Sequence, residues 1–200
     1  MKSLPKITIV TVAYNAQQYL EQTILSVIGQ DYPNIEYIII DGASTDGTVD
    51  IIKQYASHLV YWVSEPDQGI YDAMNKAIDV ATGEWINFMN AGDSFVSADT
   101  ISKVVERIDV DDECLYGDIY YLSEVNSRYI CSNPLSEIFN GIPCCHQALF
   151  TKANVIKEYR FDLTYKVASD YDLVLKCFRN GHKFKTLDFA IANFIAGAIS

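Results

Sequence analysis

Residues 7–13, Ile-Thr-Ile-Val-Thr-Val-Ala, make an unbroken run of apolar and β-branched side chains. The run is too short for a buried helix, and it lacks the alternation of a strand with one wet face. It reads as a strand covered on both sides, and such strands belong to parallel sheets flanked by helices. The pattern then repeats. Asn15 stands as an N-cap before Leu20, Ile24, Val27 and Ile28, which recur at helical spacing. A strand is expected from Ile35 to Asp41, a helix from Thr48 to Ser57, and a strand from Leu59 to Glu65. A helix from Ile70 to Thr82, stopped by Gly83, and a strand from Trp85 to Asn90 complete the series. Four strand and helix units in succession predict an α/β fold with a Rossmann-like, doubly wound, mostly parallel sheet.

Beyond Asp93 the rhythm loosens. A helix near Thr100 to Ile108 precedes strand-like stretches from Cys114 to Leu122 and from Tyr129 to Ser132, joined by a polar turn. A helix from Asp170 to Asn180, closed by Gly181, leads to a last strand-like stretch from Lys183 to Phe189. The C-terminal half is therefore expected to be mixed. A chain of 200 residues supports one well-buried core more readily than two, so residues 1–200 read as a single domain.

Apolar residues make up 50% of the chain and charged ones 20%, the balance of a folded protein. The formal net charge of -11 excludes a nucleic-acid partner, whose phosphates call for a basic surface. No apolar run approaches the roughly 18 residues that span a bilayer. The opening Met1-Lys2-Ser3-Leu4-Pro5-Lys6 enters the first strand without the apolar segment of a secretory leader, so a cytoplasmic location is expected. Cys114, Cys131, Cys144, Cys145 and Cys177 form an odd set without a disulfide framework, which fits reduced thiols. Cys144-Cys145-His146 lacks the second ligand pair of a zinc site.

In open α/β sheets ligands bind beyond the carboxyl ends of the strands. Those ends carry Tyr14-Asn15, Asp41-Gly42, Glu65-Pro66-Asp67 and Asn90-Ala91-Gly92-Asp93. Asp and Asn also cap helices and shape turns, which accounts for any one of these better than for the set. The stretch Gly42 to Thr48 has the glycine spacing of a phosphate-binding loop, but it lacks the lysine and places Asp46 inside the cradle. A dinucleotide fingerprint is absent. Without an amide cradle or a basic cluster, the carboxylates point to a divalent ion, Mg²⁺ or Mn²⁺, bridging protein and diphosphate.

At these residues the sequence resembles the family 2 glycosyltransferases of the GT-A fold, many of which build bacterial surface polysaccharides. The resemblance rests on Thr11-Val12-Ala13-Tyr14-Asn15, Ile40 to Thr48, Asp67 to Lys76, Asn90-Ala91-Gly92-Asp93 and Ala168 to Leu173, in matching order and spacing over nearly the whole chain. It implies that Thr11, Ala13, Tyr14 and Asn15 line the nucleotide site and that Asp41 accepts hydrogen bonds from the base. It further implies that Asn90, Ala91 and Gly92 lie against the donor, with Asp93 as the ligand of Mn²⁺ or Mg²⁺. Asn90 and Gly92 stand where many members carry Asp, so weak, donor-assisted metal binding is expected. Asp67, Asp72 and Asn75 are expected to border the donor sugar or ribose, and His146 to lie beside the diphosphate and acceptor. Asp170 matches the catalytic base of an inverting transfer.

Residues 1–95 are then the nucleotide-binding half, and 96–200 the acceptor and catalytic-base half. UDP is the expected nucleotide. The acceptor is expected to be a glycan or lipid-linked hydroxyl, met through peripheral contact with the cytoplasmic membrane face. The chain ends soon after Phe194-Ile195-Ala196-Gly197, where members of the family commonly continue, so a further C-terminal element is expected. The rival reading is a non-catalytic nucleotide-sugar-binding module. A phosphatase with Asp41 as nucleophile would need a second Asp at the position of Ala43.

Overall fold

In the computed structural model, which describes residues 4–123 and 125–196, the Ile7–Ala13 run forms strand β1 with all of its residues buried. Met1 to Ser3 and Gly197, used in reading the two termini, lie outside the described residues. Strand β1 pairs in parallel with β2 (Ile35–Asp41) on one side and with β4 (Trp85–Phe88) on the other. Strand β3 (Tyr61–Ser64) lies in parallel outside β2. The helices between them are α1 (Leu20–Ile28), α2 (Thr48–Gln54) and α3 (Ile70–Val80). The order β3-β2-β1-β4 is doubly wound: the chain moves outward from β1 and then crosses back to its other side.

Side-chain parity explains why β1 has no wet face. Ile7, Ile9 and Ile39 pack with Leu20, Ile24 and Val27 of α1 on one face. Val10, Val12, Ile38 and Ile40 pack with Ala73, Met74, Ala77 and Ile78 of α3 on the other. Successive strand residues point to opposite faces, so a strand covered by helices on both sides has no place for a polar alternation.

The C-terminal half joins the same sheet and makes it evenly mixed. After β5 (Ser94–Phe95) and α4 (Thr100–Glu106) come the hairpin β6 (Cys114–Ser123) and β7 (Asn126–Ile130). Strand β8 (Leu149–Lys152), helices α5 (Ala153–Tyr159) and α6 (Ser169–Arg179), and the long β9 (Phe184–Ile195) follow. Strand β8 is antiparallel to both β4 and β6, while β9 runs parallel to β6 and antiparallel to β5. The short strands β5 and β8 and helix α5 were not foreseen from the sequence. Each is too brief to show a period, and its place is set by neighbours distant along the chain.

Two local readings are corrected. Asn15 does not cap α1, which begins five residues later after Tyr19. Its backbone is left-handed (φ 46°), and its Oδ1 accepts from Thr45 N–H at 2.9 Å, so it joins two loops. Gly83 lies beyond the end of α3 and serves a close approach instead. Its N–H donates to Thr8 Oγ1 (3.0 Å) and Glu36 (3.2 Å), and a Cβ there would sit 2.8 Å from Thr8 N.

Candidate functional site

Two cavities adjoin at the carboxyl ends of β1 to β4, the crevice where a doubly wound sheet binds ligands. The first, of about 400 Å³, is lined by Ala13, Tyr14, Gly42, Asp67, Gly69 and Ile70, among others. The second, of about 540 Å³, is lined by Ile70, Tyr71, His146, Lys166, Asp170 and Tyr171, among others, and so shares Ile70 with the first. Asn15, Ala43 and Ala168, three of the four described non-glycine residues with positive φ, lie in loops at this edge. Strain of this kind concentrates where the backbone is held for a purpose other than its own stability.

The first cavity is built by three strand ends and the start of α3. Ala13 and Tyr14 leave β1, Gly42 follows Asp41, and Asp67 folds back so that its Oδ1 accepts from Gly69 N–H at 2.8 Å. Asp41 lies fully buried beneath the loop. Its carboxylate accepts from Ser44 Oγ, from Ser44 N–H at 2.9 Å and from Ser64 Oγ at 2.6 Å. Three of its roughly four acceptor positions therefore hold the loop in shape. Thr11 is buried too, with its hydroxyl on Met89 O (2.7 Å) and Tyr37 Oη (2.9 Å).

The second cavity holds a connected polar network. His146 Nδ1 stands 3.4 Å from Asp170 Oδ2, and His146 Nε2 stands 2.7 Å from Asn90 Nδ2. Asp170 Oδ1 accepts from Tyr171 N–H (2.9 Å) and Tyr71 Oη (3.2 Å). Burial by itself would raise the Asp170 carboxyl. The bond and charge of His146, with the Tyr171 and Tyr71 donors, outweigh it and hold the group below its ordinary value. Asp170 sits in the first turn of α6, where the helix dipole also favours the anion.

Asp93 lies beside this network at 1% exposure. Its Oδ2 accepts from Gln147 Nε2 at 2.6 Å and its Oδ1 from Ile195 N–H at 3.1 Å, which ties the site to the end of β9. Burial raises its carboxyl above the ordinary value, against the opposing pull of Gln147, Ile195 and His146. Gln147 Oε1 and Asn90 Oδ1 are buried without a hydrogen-bond partner. Among the described residues no three His, Cys, Asp or Glu side chains form a metal-binding group. One carboxylate and two unpartnered amide oxygens are the right chemistry for a hard divalent ion, and they fit one whose remaining ligands come from phosphate and water.

The sequence-predicted residues thus divide. Ala13, Tyr14 and Asp67 meet in the first cavity, and Asn90, His146 and Asp170 meet in the network. Ala91 is buried, its N–H bonded to Val12 O, and Gly92 N–H donates to Thr23 Oγ1, so both brace the loop that carries Asp93. Asp72 turns back on its own helix start, accepting from Gln68 N–H at 3.0 Å. Asn75 is spent on Phe161, donating to its carbonyl (2.8 Å) and accepting from its N–H (3.0 Å), so it joins α3 to the loop after α5 instead of facing a cavity. Tyr71 and Gln147 were not singled out from the sequence. Gln147 was legible only as the neighbour of His146, and Tyr71 only as the residue before Asp72.

Comparison with known proteins agrees with this architecture. The family described as Glycosyl transferase family 2 matches residues 8–167. A "PGL/p-HBAD biosynthesis glycosyltransferase" of Mycobacterium bovis is 32% identical over 182 residues, covering 88% of this chain and 71% of its own length. The crystal structure of S. aureus TarS 1-349 in complex with UDP-GlcNAc superposes with a TM-score of 0.80 at 20% identity, covering 98% of this chain and 60% of that one. The mannosyltransferase PcManGT from Pyrobaculum calidifontis, in complex with GDP-Man and Mn2+, gives 0.76 at 20% identity, covering 100% and 58%. The chain therefore spans less than two thirds of the solved proteins it resembles. Among the described residues no helix is long and apolar enough to cross a membrane.

Proposed function

This chain belongs to glycosyl transferase family 2, and from that premise we propose that it transfers a sugar from a nucleotide-sugar donor, a UDP-sugar by preference, to a hydroxyl of a glycan or lipid-linked acceptor. The observation that carries the reading is the pair of adjoining cavities, one lined by Ala13, Tyr14 and Asp67 and the other holding Asp170 against His146. The nucleotide occupies the first, within the half formed by residues 1–95, and the acceptor enters the second. Asp170 takes the proton of the acceptor hydroxyl as that oxygen attacks the anomeric carbon. The bond from that carbon to the diphosphate oxygen breaks, and the nucleoside diphosphate leaves with the bonding pair. A single in-line displacement of this kind inverts the anomeric centre. Asp93 would hold Mn²⁺ or Mg²⁺, whose charge offsets that of the departing diphosphate. The enzyme works at the cytoplasmic face, in peripheral contact with the membrane that presents its acceptor. The intact Asp170 network favours this reading over a binding module without catalysis.

Calorimetry with UDP-, GDP- and dTDP-sugars, in Mn²⁺ and in EDTA, tests it. One donor is expected to bind, and more tightly with Mn²⁺. Binding of none would overturn the reading. Asp93→Ala is expected to abolish the Mn²⁺-dependent tightening while circular dichroism reports a folded domain, and unchanged metal dependence would remove Asp93 from the site.

The first cavity has its own test in Gly42. A Cβ there would lie 2.5 Å from Asp67 Oδ2 and 3.3 Å from Tyr14 Cδ2. Asp67 is the end of a flexible side chain, so Gly42→Ala is expected to push it into the cavity at little cost to stability. Donor Kd should rise roughly tenfold, about 1.4 kcal/mol. An unaltered Kd would place the donor elsewhere.

A further inference from the structure

We infer that Tyr71 is a positioning residue, which Phe161 and Asn75 hold against Asp170 so that one carboxylate oxygen is kept for the acceptor hydroxyl. The inference rests on the reading of Asp170 as base, and it gives a task to Asn75, which faces neither cavity. Tyr71 and Asn75 stand four apart, on one face of α3. Asn75 is buried and clamps the backbone of Phe161, donating to its carbonyl at 2.8 Å and accepting from its N–H at 3.0 Å. The Phe161 ring, fixed in this way, stacks on the Tyr71 ring with centroids 5.4 Å apart and an interplanar angle of 25°. It also meets Phe88 of β4 in a T-shaped contact at 5.3 Å. Stacked and edge contacts at these separations are the favoured aromatic geometries. Tyr71 is therefore backed by a buried ring that is tied both to α3 and to the sheet. Its hydroxyl is delivered to Asp170 Oδ1 at 3.2 Å, and the Ser169 and Asp170 N–H groups at the start of α6 lie against the same oxygen.

An Asp carboxyl needs such support, because its terminal torsion is broad and no rotamer fixes the direction of the two oxygens. The Tyr171 N–H, 2.9 Å from Oδ1, belongs to the next residue and moves with α6. Among the described residues Tyr71 is the only hydrogen-bond partner that Asp170 takes from the half formed by residues 1–95. Tyr71 follows Ile70, which borders both cavities, and Gly69, which borders the first. One short segment thus walls the nucleotide cavity and sets the direction of the base. It thereby fixes the base relative to the bound donor, the alignment on which an in-line displacement depends. With Oδ1 engaged by Tyr71 and Tyr171, Oδ2 is the oxygen left for the hydroxyl proton.

A double-mutant cycle tests the inference. Tyr71→Phe keeps the ring and its stack and removes only the hydroxyl. The urea midpoint and the donor Kd are expected to stay, while kcat falls about tenfold, the worth of one hydrogen bond to a charged group. In the Asp170→Asn background the same substitution is expected to change kcat by no more than about twofold, because a residue that acts through the base has nothing left to act on. Full kcat in Tyr71→Phe would overturn the inference. So would an equal loss in the Asp170→Asn background, since Tyr71 would then serve the acceptor directly or the fold alone. Phe161→Leu leaves the hydroxyl but removes the ring behind it, so it is expected to lower kcat in the wild-type chain and not in Tyr71→Phe. An equal loss in both would overturn the part given to Phe161. The reading of Asp170 as base fails separately: Asp170→Asn with full kcat removes the base and the role of Tyr71 with it, whereas an additive cycle on an impaired Asp170→Asn removes only the role of Tyr71.

Discussion

Asp170→Asn is expected to lower kcat by about 10²–10⁴-fold with the donor Kd unchanged. The substitution keeps the size of the side chain and an oxygen for Tyr171 N–H and Tyr71 Oη, but it removes the carboxylate that lines the second cavity and is proposed to accept the hydroxyl proton. The cavity proposed for the nucleotide adjoins this one at Ile70 and does not include Asp170, which is why nucleotide binding and chemistry should separate. Steady-state kinetics beside calorimetric donor binding measures both. Retained kcat would remove Asp170 from the mechanism, and lost donor binding would show that the two cavities act as one. The pH profile supplies a second check. A base must be unprotonated, and Asp170 is held below its ordinary value in the free chain, so the acid limb of kcat/KM should fall below the ordinary Asp value of about 3.9. An acid limb near neutrality would point to another group.

Glu36→Ala should be the more damaging change to the fold itself, costing about 1.5–3 kcal/mol although Glu36 is far from either cavity. Glu36 is 3% exposed. It gathers the lower ends of β1 and β2 and the turn after α3, accepting from Thr8 Oγ1 (2.6 Å), Thr82 Oγ1 (2.5 Å), Thr82 N–H (2.8 Å) and Gly83 N–H (3.2 Å). Removing the carboxylate leaves the buried Thr8 hydroxyl without its acceptor and Gly83 N–H with Thr8 Oγ1 alone, while the exposed Thr82 turns to water, and a buried unpaired donor costs more than the bond was worth. Burial would raise the Glu36 carboxyl, but the Thr8, Thr82 and Gly83 bonds outweigh it and hold the group below its ordinary value. A carboxylate depressed in the folded state stabilises fully above its unfolded pKa of about 4.3, and the benefit is lost as pH falls through the lower folded value. The wild-type chain should therefore lose stability in that acid window, while Glu36→Ala, already weakened at neutral pH, should lose less. Urea unfolding at neutral and acid pH reads both. A loss under about 1 kcal/mol at neutral pH would mean that water replaces the carboxylate.

The site was legible in the sequence to the extent that its residues follow strands. Ala13, Tyr14 and Asp67 reach the first cavity because each comes within a few residues of a strand end, and strand ends in a parallel sheet converge on one edge. Asn75 and Asp72 sat in the same motif and on one helix, yet the chain uses Asn75 to clamp Phe161, 86 positions away. Nothing local distinguishes an amide aimed at a ligand from one aimed at a distant backbone. The same reasoning covers Asn15, whose partner is Thr45 in another loop.

By itself the sequence determined what depends on short range. The apolar parity of Ile7–Ala13 and Ile35–Asp41 required a strand covered on both faces, and the alternation with helices required parallel pairing and a crevice at one edge. Tertiary structure alone decided how the second half closes that crevice. Strand β8 enters beside β4 and carries His146 and Gln147 to Asn90 and Asp93, while α6 brings Asp170 to His146 from the opposite wall. These contacts join residues 54 to 56 apart at the β4 end, and 102 apart where Ile195 meets Asp93. Their partners are chosen by the free energy of filling a shared core and satisfying buried polar atoms, a property of the packed chain and not of any window along it.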